Sequence, residues 1–405
     1  MKRIKGLSLV LVGVLSLGIN GCGGSTAPST DANTSTSTGT NTGGSNTQSN
    51  NTTAGNFRDA NVIGVEYKSG SQSGLTGDNG SYVCEKDKNV TFSIGNIELG
   101  TMPCKTLATP IDLVQNGDIN NTSVVNIVRL LTSLDDDGNA TNGMKILPKV
   151  RTLAKKWSKV NFGSKNFDTS TKVSTILSDL KNNKIGTNKL PAIKTAQDHF
   201  KKTLYCAYSG AFVGKYSGSD AGKLGVMISP IDGTMKLVGL SNSSTNYFYG
   251  HGSQSFGLNG QRAIRGIMAD GSITFRGKVN SVNSASGTWS DGTAFGKWTT
   301  KRVGGVANAK YRVIGRFNFS GTDNGLFSMD IDNSNKVTGV AYSTTDDKTY
   351  TISGNFNGTD IKAKTNNGVS IQAKFDAHTG TISNTSLLDN QGSIGTFTGS
   401  GCKLN

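Results

Sequence analysis

Histidine, cysteine and glutamate, three of the commonest chemical side chains, are scarce in this chain. Its 405 residues include three His and five Cys, and glutamate occurs only at Glu66, Glu85 and Glu98. No acid–base group beyond Glu98 in the chain can therefore be a glutamate. His199 lies in a Lys-rich helical stretch, His251 follows Tyr247-Phe248-Tyr249-Gly250, and His378 sits in the turn-like Asp376-Ala377-His378-Thr379-Gly380. No G-x-S-x-G elbow, Walker loop or dinucleotide fingerprint accompanies them, so no catalytic residue is assigned. With Cys22 set aside, Cys84, Cys104, Cys206 and Cys402 form an even set, which in an oxidising compartment allows three connectivities. The local pairing, Cys84–Cys104 and Cys206–Cys402, is the expected one. No CxxC or HExxH occurs, which argues against zinc. Four aromatics, Tyr247, Tyr249, Trp289 and Trp298, offer a ligand or sugar surface if they face solvent, and a core if they do not.

One acidic run has ligand spacing. In Asp135-Asp136-Asp137-Gly138-Asn139-Ala140-Thr141, the residues Asp135, Asp137 and Asn139 stand at positions 1, 3 and 5 of an EF-hand-like loop, supplying hard oxygen donors for calcium. Ala140 and Ile146 replace the Gly at position 6 and the bidentate Glu at position 12. The same residues also read as a polar turn that closes a helix ending at Leu134. No other cofactor is indicated.

Composition places these groups in an exported, turn-rich β protein. Hydrophobic residues are 34% and charged residues 17%, both low for a globular chain, while Gly fills 53 positions. Lys2, Arg3 and Lys5 precede the apolar run Leu7 to Leu17, which is too short to span a bilayer, and the run ends at Gly21-Cys22. This arrangement resembles a bacterial lipoprotein signal, in which residues 1–21 are removed and Cys22 is acylated by diacylglycerol and palmitate. Ile19 stands where Leu is usual, and Asn20 where Ala or Ser is commoner. Gly23 is not the Asp that resembles an inner-membrane retention signal. The expected location is therefore the outer membrane, lipid-anchored and surface-exposed, with the periplasmic leaflet as the alternative. Residues 22–55 are nearly all Ser, Thr, Asn and Gly, and Asp31 is the sole charge from 23 to 55; a disordered tether spanning roughly 30 Å is expected.

Three blocks follow. Residues 56–107 alternate apolar and polar in Val62-Ile63-Gly64-Val65-Glu66-Tyr67 and Val90-Thr91-Phe92-Ser93-Ile94, with a turn at Gly77-Asp78-Asn79-Gly80. This pattern resembles the prealbumin-like, or carboxypeptidase-regulatory-like, module of bacterial envelope proteins. The resemblance implies a small β-sandwich used as a spacer and carries over no catalytic residues. Residues 108–205 change period and predict a helical subdomain, with helices over Val124–Leu134 (Ser123 as N-cap) and near Leu147–Val160, Ser170–Leu180 and Lys189–Leu204. Residues 206–405 return to β and repeat internally, over about 208–303 and 311–402. Tyr216-Ser217-Gly218-Ser219-Asp220-Ala221-Gly222 matches Phe319-Ser320-Gly321-Thr322-Asp323-Asn324-Gly325, and Gly296-Lys297-Trp298 matches Gly395-Thr396-Phe397. The expected class is α+β, mainly β: an N-terminal sandwich, a helical insert, and an antiparallel barrel or sandwich built from two similar repeats.

Net charge is +15, and the excess is local: residues 145–202 carry 14 Lys+Arg against three Asp. Export removes nucleic acid as a partner and leaves anionic lipid, acidic glycan, or plain solvation of a Lys-rich face. Anchor, tether, spacer and distal β domain together suggest a non-enzymatic binding or adhesion module. Its partner would be a host protein, an envelope protein or a glycan, in loose architectural similarity to the transferrin-binding lipoprotein class. A lipocalin-like carrier of a small apolar ligand is the alternative, and an envelope hydrolase the weakest reading.

Overall fold

Strands form where apolar residues alternate, and after Ser209 they close on themselves. The computed structural model describes residues 51–244, 247–256, 262–305, 309–319 and 323–404. The expected signal segment, Cys22 and most of the expected tether lie outside the described residues. The strands from Gly210–Gly218 to Phe295–Val303 form one closed antiparallel barrel, and those from Tyr311–Phe319 to Ile394–Lys403 form a second, each of eight strands. The seams set Tyr216 opposite Trp298 and Phe317 opposite Phe397. The two repeats therefore share neither one barrel nor a pair of packed sheets; each closes its own. Closure pairs every strand on both sides and leaves the barrels without a sheet edge.

Register sharpens the repeat. Tyr216 pairs with Gly222 and Phe317 with Gly325, and in both the ring lies where a Cβ on that glycine would stand. Tyr216 therefore corresponds to Phe317, and the sequence match to Phe319 is displaced by two residues on this strand. The cause is the hairpin, which is two residues longer in the second barrel. The match of Trp298 to Phe397 holds at the seam.

The barrels pack side by side through Ala211, Met227 and Val238 on one and Ile314 and Leu326 on the other. Corresponding ends point the same way. Lys223, beside the Gly222 end of its strand, pairs at 3.4 Å with Asp347 in the turn that follows Lys336–Ser343. At the opposite end, Gly305, just past Phe295–Val303, lies beside the side chains of Arg312 and Asp330.

Before the barrels, Thr52–Phe57 runs between Ser81–Glu85 and Leu107–Ala108, and a four-stranded sheet comprises Glu66–Ser69, Gln72–Leu75, Asn89–Ile94 and Ile97–Pro103. Phe57 of the first sheet stacks on Phe92 of the second at 4.6 Å, so the sheets face each other across a small core. Thr52–Gly55, expected in the tether, belong to this sandwich: Thr53 pairs with Cys84, and Gly55 abuts the Tyr82 ring. Composition gives no hint of this, because the pairing is made by backbone groups alone.

Four helices follow: α1 (Thr122–Leu134), α2 (Pro148–Ala154), α3 (Thr171–Asn182) and α4 (Ile193–Tyr208). Asn121, not Ser123, caps α1; its side chain accepts the N–H groups of Ser123 and Val124. The helices form the expected insert, and α1 serves two cores. Ile127, Leu130, Leu131 and Leu134 of α1 join the sandwich core, whereas Val124 and Val128 join α4 and the interior of the first barrel. α1 is covered on nearly all sides, with the polar Asn126, Arg129 and Ser133 buried beside its apolar residues. Met144–Lys145 also pairs in parallel with Val62–Ile63 of the sandwich.

Candidate functional site

Both barrels are filled through the middle and hollow at the corresponding end. In the first, Phe212, Phe275, Trp289 and Trp298 lie in one core with Leu224 and Ile264. Above them a cup of about 340 Å³ opens to solvent, lined by Tyr216, Phe248, Phe275 and Trp289, with Asp220 and Asp291 at the rim. The second barrel is packed by Ile331, Ile352, Phe356 and Phe375. Its cup is much smaller, with a volume of about 50 Å³, and is lined by Phe317, Phe319, Phe327, Ile371 and Phe397, with Asp323 among the lining groups.

Asp220 and Asp323 are equivalent through their partners. Ser241 donates to Asp220 at 2.9 Å, and its counterpart Ser343 donates to Asp323 at 2.6 Å. Asp220 also accepts from Tyr216 and Ser243. Burial works against its charge, but these donors outweigh it and hold the carboxyl below its ordinary value. Asp323 has fewer donors, and burial pushes it up. Each cup therefore combines an aromatic floor with a tethered carboxylate at the equivalent position, and the first adds Asp291 at its rim. The repeat match contains both Asp residues, but period and composition give no reason to single them out.

The tips beside the cups are apolar. Phe295 is 71% exposed and Ile394 67%, and they open the matching final strands of the two barrels. Leu388, across the same turn from Ile394, is also exposed.

The four aromatics expected to share a surface are divided. Trp298 is buried in the first barrel with its indole N–H on the Thr288 carbonyl at 3.1 Å, so it is packing and not surface. Trp289 is buried in the cup wall and donates to the Ser217 carbonyl at 3.1 Å. Tyr247 reaches the edge of the same cup, while Tyr249 is exposed in a cleft of about 390 Å³ between the barrels, near Arg316. Period-two alternation sends Phe248 inward and its two tyrosine neighbours outward.

Both expected disulfides are present, Cys84–Cys104 and Cys206–Cys402. The acidic loop brings one carboxylate oxygen from each of Asp135, Asp136 and Asp137 within 4.8 Å of one another. Asn139, expected as a third ligand, instead accepts from the Thr141 N–H and hydroxyl. The loop turns at Gly138, at φ +72°, two residues earlier than the EF-hand glycine position. Of the histidines, His251 and His378 are exposed, and His199 of α4 lies 3.4 Å from the fully buried Asp59.

No protein-family model and no curated protein matches the chain. Among solved structures, kievitone hydratase from Nectria haematococca aligns at 8% identity over 48% of this chain and 88% of that one, with a TM-score of 0.20. A superposition that poor carries no argument about fold or function.

Proposed function

We propose that the chain is an exported, lipid-anchored binding protein of the bacterial envelope, attached through Cys22, that takes a macromolecular or glycan partner on the open face of its two barrels. The observation that supports this most is the pair of matching cups on one side, each flanked by a large apolar side chain held in solvent. Exposed apolar groups around concave, partly polar sites mark interaction surfaces. Every lysine from Lys145 to Lys202 is exposed, which suits an acidic glycan or anionic headgroups as a secondary contact.

The test is binding of the full chain to an array of glycans and extracellular-matrix proteins, wild type against Phe295→Ser/Ile394→Ser. The double variant is expected to lose at least about tenfold in affinity, since each buried anchor contributes more than about 1 kcal/mol. Unchanged binding would remove the open face from the reading.

Anchoring has its own test. Cells fed a palmitate analogue are expected to label the wild type and not Cys22→Ser; equal labelling of both would end the proposal of a lipid anchor there. Protease shaving of intact cells carrying a tag at Asn405 distinguishes the leaflets. A tag cut only after the outer membrane is permeabilised means a periplasmic orientation.

A further inference from the structure

We infer that the loop from Asp135 to Ile146 binds calcium and thereby fastens α1 to the N-terminal sandwich. Asp135 is fully buried. Its Oδ1 accepts the N–H groups of Asp136 and Lys145 at 3.0 and 2.8 Å, whereas its Oδ2 is buried with no hydrogen-bond partner. An enclosed carboxylate oxygen with no donor is costly. No Lys, Arg or His makes a salt bridge to it among the described residues. Instead it faces two more carboxylates, with one oxygen of each within 4.8 Å of the others.

That spacing suits one hard cation. Oxygens bound to calcium at about 2.4 Å lie at most about 4.8 Å apart, on opposite sides of the ion. All the available donors are oxygen, which favours calcium or magnesium over zinc. Calcium tolerates an irregular ligand set, whereas magnesium demands a near-octahedral one. The loop is also a joint. Lys145, which holds Asp135 through its N–H, belongs to the strand that pairs with Val62–Ile63, and the Asp136 carbonyl accepts from Gly186 beyond α3. Neutralising three carboxylates there would tighten the contact between helix, strand and loop.

The full chain, stripped with chelator, is titrated with calcium chloride and separately with magnesium chloride, by calorimetry and by thermal unfolding. Calcium is expected to bind with Kd of about 0.1–1 mM. At a hundredfold excess over Kd it should raise Tm by roughly 3–5 °C. Asp137 is exposed, so Asp137→Asn should fold and should weaken binding at least about tenfold. Absence of both heat and Tm shift in the wild type would overturn the inference, as would unchanged affinity in both Asp137→Asn and Asp135→Asn.

Discussion

The Cys206→Ala/Cys402→Ala variant is expected to lose about 5 kcal/mol of unfolding free energy, by the chain-entropy account of cross-links. The bond closes a loop of 196 residues and ties the last turn of α4 to the final strand of the second barrel. Nearly the whole two-barrel region lies inside that loop, so its removal frees the unfolded chain more than any local change. Cys84–Cys104, with a separation of 20, should contribute about 3 kcal/mol on the same account. Urea unfolding of both double variants beside the wild type, all under oxidising conditions, measures the difference. Equal losses would show that loop length does not govern the effect.

His199→Ala should cost about 3–5 kcal/mol, the usual penalty for leaving one partner of a buried pair alone. Asp59 has no exposure and its carboxylate oxygens have no other hydrogen-bond partner, so the imidazole 3.4 Å away is its compensating charge. Burial opposes charge on His199, but the Asp59 carboxylate outweighs it and holds the imidazole above its ordinary value. Burial also pushes Asp59 up. Both shifts have the same sign for stability. The contribution is complete below the unfolded value of each group and is lost as pH rises through the higher folded value. Tm should therefore fall as pH climbs, first above the ordinary aspartate value through Asp59 and again above about 6.5, the ordinary imidazole value, through His199, and Asp59→Asn/His199→Gln should flatten that slope. A double variant with the wild-type slope would place the pH dependence elsewhere.

Much of this architecture is legible in the residues. Period-two alternation after Cys206, the match of Trp298 to Phe397 and the even cysteine set lead to two similar β units and both disulfides. What alternation cannot encode is which strand pairs with which at a seam, so one barrel, two barrels and a sandwich all fit the same pattern. The helical insert reads as self-contained because Val124 and Ile127 look alike in sequence, although they face different cores. The aromatic surface misleads for a related reason. Alternation assigns Trp289 and Trp298 to a face, but only closure decides that the face is interior. Phe295 and Ile394 give no signal at all, since an apolar residue at a strand end is ordinarily packed.

Each barrel is sealed by its own first and last strands, and for the second that last strand is Ile394–Lys403. A chain threaded through a membrane from its amino terminus, as the proposed export requires, delivers this strand after the others. Until it arrives, Tyr311–Phe319 has one side unpaired and the bond to Cys402 cannot form. The first barrel can close while the second is still in transit. Export should thus pass through an intermediate with one finished barrel and one open sheet, the stage at which a periplasmic chaperone or an early proteolytic cut would matter most.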